Sequence, residues 1–218
     1  APLAVAAIAA FASPAGAADK FEDAAVRLEQ NATDGDNEVV LEIKSGTMGI
    51  DHLSVVAPDG HTVFELSCPA PAALGLRQFV LESPEPKDRV AIQKAFPAGT
   101  YVVRGRTVDG RDLEASAELV HDLPPTAGFV HPAEDAEDVP AEDLVITWKG
   151  VAGIAAYEIE VEDEETGVVV TARLPARATS FGIPAGFLEA GGDYKLAIGT
   201  VAADGNKSFV ETSFTTAE

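Results

Sequence analysis

The chain has 218 residues, with 36 Asp plus Glu against 15 Lys plus Arg, a formal net charge of -21, and 46% hydrophobic residues. A charge of that sign and size repels phosphate backbones and anionic lipid heads, which argues against nucleic acid as a partner. One cysteine, Cys68, cannot form an internal disulfide, so the domains must be held by packing, and the length suits two sandwiches of about 90 to 100 residues each.

Residues 1–17 form an alanine-rich apolar run closed by Ala15-Gly16-Ala17, read as the remnant of a secretory signal peptide cut after Ala17. The mature chain is therefore expected to be secreted, periplasmic or at the cell surface, without membrane insertion. Residues 18–36 are expected to be a leader, because Phe21, Ala24, Ala25 and Leu28 keep helical or irregular spacing and Asn31 to Asn37 is dense in turn formers.

At the end of that leader, Asp34, Asp36, Asn37 and Glu38 concentrate the oxygen donors that a hard cation such as Ca²⁺ requires. The spacing is not that of an EF-hand, and Asx side chains bonding their own backbone explain the same residues. Ca²⁺ is the one cofactor that the composition of this loop suggests, and no other is expected. The histidines, His52, His61, His121 and His131, offer no pair at i+2 or i+4 for zinc.

From residue 37 to 123 short strand-like runs alternate with turns. Val39–Ile43, Leu53–Ala57, Thr62–Leu66, Leu76–Glu82, Thr100–Gly105 and Leu113–Leu119 read as strands, with Pro58-Asp59-Gly60 and Val108-Asp109-Gly110 as hairpin turns. Pro86–Phe96 predicts a short helix. Strand count and alternation make this half an immunoglobulin-like β-sandwich, and Leu123-Pro124-Pro125-Thr126 marks a stiff boundary.

Residues 124–218 predict seven strands: Phe129–Val130, Asp143–Trp148, Ala155–Glu162, Val168–Leu174, Ser180–Ile183, Asp193–Val201 and Phe209–Thr215. With a proline-flagged entry, Trp148 ending Leu144-Val-Ile-Thr-Trp, Tyr157 in an alternating run, Leu188-Glu-Ala-Gly191-Gly-Asp-Tyr194 and the terminal Phe214-Thr-Thr216, this half resembles the fibronectin type III family. The resemblance implies structural roles: Trp148 and Tyr157 as core, and Leu188, Gly191 and Tyr194 as a corner closed by a tyrosine hydroxyl on nearby backbone. Ala190 stands where the family usually has proline. In the first half, Phe96-Pro-Ala-Gly99-Thr-Tyr101 is similar to the same corner.

The resulting expectation is an all-β protein of two antiparallel sandwiches in tandem that acts in binding, adhesion or spacing. Its expected partner is a protein or a polysaccharide at the cell envelope or outside the cell. No nucleophile elbow or phosphate-binding glycine loop is present, so no catalytic residue is assigned. One alternative is a carbohydrate-binding accessory module, which would show a row of exposed rings drawn from Phe129, Tyr157, Phe187 or Phe209. The other is a hydrolase with paired carboxylates across a pocket. Loops Gly150–Ile154 and Ala203–Lys207 are the expected places for a ligand contact. Asn31-Ala-Thr33 and Asn206-Lys-Ser208 fit the N-glycosylation pattern, and neither is expected to be modified.

Overall fold

Alternation of inward and outward side chains, broken by Asp-Gly turns, produces a nearly all-β chain in the computed structural model, which describes residues 18–68 and 75–218. The signal-peptide reading of residues 1–17 lies outside the described residues. The first half contains β1 (Asp19–Lys20), β2 (Asp23–Asn31), β3 (Asp36–Lys44), β4 (Ile50–Val56), β5 (Thr62–Ser67), β6 (Gln78–Glu82), α1 (Arg89–Ala95), β7 (Gly99–Thr107) and β8 (Asp112–Leu119). The second contains β9 (Gly128–His131), β10 (Ala136–Val139), β11 (Val145–Lys149), β12 (Ala156–Asp163), β13 (Val169–Pro175), β14 (Ser180–Gly182), β15 (Asp193–Val201) and β16 (Lys207–Thr216).

In the first half the sheet β1-β8-β7-β4-β5 packs on β2-β3-β6. Their facing side chains, Val26, Leu28, Val39, Leu41 and Ile43 from one layer and Leu53, Val55, Tyr101, Val103 and Leu113 from the other, form a buried core. The helix is capped by Asp88, whose carboxylate accepts from the Val90 and Ala91 amides at 2.9 and 3.2 Å, and it buries Ile92. Tyr101 is fully buried with its hydroxyl donating to the Pro97 carbonyl at 3.1 Å.

The expectation of a leader over residues 18–36 is corrected. Asp23–Asn31 is a nine-residue strand paired antiparallel with β3 along its whole length, and β1 pairs with β8. The helical spacing misled because Ala24 and Leu28 satisfy both periods. Val26, which is 3% exposed, sets the strand reading, since Ala24, Val26 and Leu28 alternate onto the core while Arg27 and Glu29 face outward.

In the second half β14-β11-β9 packs on β13-β12-β15-β16, and β10 adds in parallel to the far part of β16. This arrangement is a second two-layer β-sandwich. Trp148 and Tyr157 meet edge to face at 5.2 Å inside the core, and Tyr194 stacks on Phe214 at 5.4 Å.

One sheet runs through both halves in the order β13-β12-β15-β16-β2-β3-β6. The join is a parallel pairing of Lys207, Ser208 and Phe209 with Glu29, Gln30 and Asn31. One edge of β16 is thus divided between two neighbours: its first residues hold the first sandwich, and its last residues hold β10.

Candidate functional site

The seam between the sandwiches buries four polar residues, Glu29, Thr200, Asn206 and Ser208. The turn Ala203-Asp204-Gly205 closes by the Gly205 amide donating to the Ala202 carbonyl at 3.1 Å, and it delivers Asn206 into the joint, where it is 1% exposed. Its Oδ1 accepts from the Leu28 amide at 2.8 Å, and its Nδ2 donates to the Val120 and Asp122 carbonyls at 2.9 and 2.8 Å. All the hydrogen-bonding capacity of the Nδ2 group is used, and the amide ties β2 to the end of β8 and to the linker.

The linker itself is clamped. Ser208 Oγ donates to the Pro124 carbonyl at 2.6 Å and receives from Gln30 Nε2 at 2.9 Å, and Thr200 Oγ1 donates to the Pro125 carbonyl at 2.9 Å. Further along, the Ala32 amide donates to the Phe209 carbonyl at 2.8 Å and the Glu211 amide to Thr33 Oγ1 at 2.8 Å. Gly205, at φ +97°, suits the turn in two ways: the conformation disfavours L side chains, and a Cβ there would meet Arg27 Cδ at 3.1 Å.

On the outer face of the shared sheet an ion-pair chain crosses the seam. Lys44 contacts Glu42 at 3.0 Å, Glu42 contacts Arg27, Arg27 lies 3.9 Å from Glu29, and Lys207 reaches both Glu29 and Glu158 at 3.1 Å. Glu158 ends the chain on Arg173. Linked pairs of this sort, partly withdrawn from water, matter more than isolated surface pairs. Beside them the Phe209 ring lies flat against Gly199, where a Cβ would come within 2.5 Å of Cε1, and Lys207 Nζ stands 5.8 Å from the ring centroid.

Next to this chain is an open groove of about 560 Å³ whose walls include Glu29, Asp34, Asp36, Glu38, Glu160 and Glu211, with Lys195 as the cation among them. Three of the candidate Ca²⁺ ligands, Asp34, Asp36 and Glu38, are brought to it. Asn37 turns to the opposite face, where it is buried and its Nδ2 donates to the Gly35 carbonyl at 3.2 Å. Among the described residues no group of three or more His, Cys, Asp or Glu is disposed to hold a metal ion.

Crowding shows in the acids themselves. Glu38 stands directly opposite Glu29 in the β2–β3 ladder, and burial, reinforced by Glu29, Glu82, Glu85 and Asp36, pushes its carboxyl up to about 7. The folded value lies above the ordinary 4.5, so Glu38 contributes stability below pH 4.5 that is lost as pH rises through about 7. Glu38→Gln is expected to stabilise the chain by about 1 kcal/mol at pH 8, the shift being discounted for solvent screening, and to change little at pH 4. Urea unfolding at the two pH values checks this; an equal effect at both would contradict it.

The residues that the resemblance picks out lie elsewhere. Trp148 is 3% exposed and Tyr157 fully buried, with the Tyr157 hydroxyl accepting from the Val151 amide at 2.6 Å. Leu188 is buried, Gly191 turns at φ +67°, and the Tyr194 hydroxyl accepts from the Glu189 amide at 2.7 Å. None of these side chains borders the groove. In Ala203–Lys207, an expected place for a ligand contact, Asn206 and Lys207 are spent on the joint while Ala203 and Asp204 are exposed. The sequence signal for this role is a polar Asn-Lys-Ser run following an Asp-Gly turn, and its register with β2 is invisible without the fold.

Fold and site together define a tandem β-sandwich protein whose two units are welded along a shared sheet. Among solved structures it is similar to a two-domain fibronectin type III segment of chicken tenascin, at 15% identity and a TM-score of 0.33 over 91% of this chain and 100% of that one. It is also similar to fibronectin(III)-like modules of Clostridium thermocellum CbhA, at 12% identity and 0.37 over 91% and 93%. A third is the BSP domain of a biofilm-associated protein, at 20% identity and 0.29 over 91% and 29%. No protein-family model and no curated protein matches the chain.

Proposed function

We propose that this chain is an exported, non-catalytic spacer and protein-binding module that presents its surfaces at a fixed separation at the cell envelope or outside the cell. The observation that carries this reading is the seam, where Asn206, Ser208, the Lys207 ion pairs and the β16–β2 pairing hold the sandwiches in one orientation. A flexible tether between independent binding domains would not bury an asparagine or clamp both prolines. No helix among the described residues is long and apolar enough to cross a membrane.

The aromatic side chains favour protein over polysaccharide as partner. Tyr157 is fully buried, Phe129 and Phe187 pack against the second core, and only Phe209 lies on the open face, so these rings form no coplanar row. Of the two carboxylates that oppose each other in the groove, Glu29 is bonded to Lys207 and so engaged structurally. That favours a scaffold over a hydrolase.

Small-angle X-ray scattering tests the reading. One fixed arrangement of the two sandwiches is expected to fit the data at low and at high salt, because the joint rests on buried hydrogen bonds as well as ion pairs. A profile that requires a broad set of interdomain angles would remove the spacer role.

A further inference from the structure

The shared sheet leaves β13 as a free edge, with β12 on its other side. Natural edge strands are blunted by charge, proline, bulges or shortness, because a row of unpaired backbone groups templates another strand. The other edge strands among the described residues follow that rule: β1 has two residues, β14 has three, β9 and β10 have four each, β5 carries Glu65 and pairs across a register shift, and β6 is a five-residue strand ending in Glu82. In contrast, β13 has seven residues, pairs with β12 in unbroken register, exposes Val169 at 42% beside Val168 at 54%, and carries its proline, Pro175, only as its last residue. Its one charge is Arg173.

The hydrogen-bond phase of this edge can be read. The Asp163 amide donates to the Val168 carbonyl at 2.9 Å, so by antiparallel alternation Val170, Ala172 and Leu174 bond to β12. The amides and carbonyls of Val169, Thr171 and Arg173 therefore point outward, and Pro175, which has no amide to offer, falls in the same outward set. We propose that β13 is the docking edge for a second copy of this chain, the two β13 strands pairing antiparallel about a two-fold axis centred on Thr171.

That centre matches the outward groups of Val169, Thr171 and Arg173. Thr171 meets Thr171 of the second copy and Val169 meets its Arg173, which gives about six backbone hydrogen bonds and a favourable Thr–Thr cross-strand pair. Moving the centre by one residue keeps outward groups facing each other but sets Val169 against Pro175, which has no amide, or Arg173 against Gly167, whose amide already donates to the Asp163 carbonyl at 2.8 Å, so bonds are lost. The charges fit as well: on the outer face Val169 has Glu162 as its neighbour on β12, so the Arg173 arriving opposite Val169 lies beside that carboxylate. The net charge of -21 on each copy opposes association, so salt should strengthen the dimer.

Sedimentation velocity on the full chain from about 10 µM to about 1 mM, at low and high salt, is expected to show a monomer–dimer equilibrium in the micromolar range. Thr171→Pro removes only an outward amide and should weaken the dimer at least about tenfold with the fold retained by circular dichroism. If that variant fails to fold, Arg173→Glu, which leaves the backbone intact, is expected to weaken association by a similar factor. Register is read by mild oxidation in a Cys68→Ser background, where Thr171→Cys should cross-link and Val169→Cys should not. A monomer at the highest concentration, a dimer indifferent to both edge variants, or cross-linking at 169 in place of 171 would overturn the proposal.

Discussion

Asn206→Ala is expected to cost about 3 kcal/mol and to loosen the two sandwiches at the same time. The substitution leaves the Leu28 amide and the Val120 and Asp122 carbonyls without their partner in a joint where Asn206 is 1% exposed, and each orphaned buried group costs about 1 to 3 kcal/mol before water enters. Urea unfolding measures the loss, and scattering on the same sample measures the change in shape. Asn206→Asp should be at least as damaging, because it turns a donor toward two carbonyls into an acceptor. A loss well under 1 kcal/mol for the alanine variant, with an unchanged profile, would mean that the joint does not depend on this side chain.

Lys207→Met is the second large effect, and its signature is pH dependence. Lys207 neutralises Glu29, which is 8% exposed, and breaking a buried pair by removing one partner costs about 3 kcal/mol, because Glu29 is then left with only the more distant Arg27 at 3.9 Å. Burial already holds the Glu29 carboxyl above its ordinary range, and Lys207 is the main influence pulling it down, so without the lysine it rises further. A carboxyl raised in the folded state contributes stability at low pH that disappears as pH climbs through its folded value. The deficit of the variant should therefore be greatest in alkaline solution and shrink as Glu29 takes up a proton. The double variant Glu29→Gln with Lys207→Met should recover most of the loss, since no lone charge is left behind. A deficit of equal size at pH 5 and pH 9 would show that packing of the lysine stem, and not the charge on Glu29, is what matters.

The elements that could be read from the sequence are those whose cause is local. The Asp-Gly pairs at Asp59-Gly60 and Asp109-Gly110 turn their hairpins as their composition requires, with the Gly60 and Gly110 amides bonding back to Ala57 and Thr107 at 2.9 and 2.8 Å. The alternation of Ala156–Asp163 and Asp193–Val201 needed no partner to be recognised. What was hidden is the weld. Its bonds join residues 178 apart in the chain, such as Gln30 to Ser208 and Leu28 to Asn206, and nothing in either segment announces the other. The strand β2 was lost for a related reason: Ala24, Ala25 and Leu28 are ambiguous until β3 is laid beside them. The acidic loop was visible as composition, but only the ladder register put Glu38 opposite Glu29 and sent Asn37 to the other side.

The division of β16 between two neighbours has a consequence for how the polypeptide is made. During synthesis the amino-terminal sandwich emerges with the margin of β2 bare, its Leu28 amide and the carbonyls at Val120 and Asp122 awaiting a residue translated much later. Until Asn206 and the strand after it leave the ribosome, that margin is a hazard for mispairing with other nascent chains. The carboxyl-terminal strand thus serves as the closing stitch for both units, and truncation shortly before residue 206 should yield an amino-terminal fragment that aggregates instead of an autonomous half.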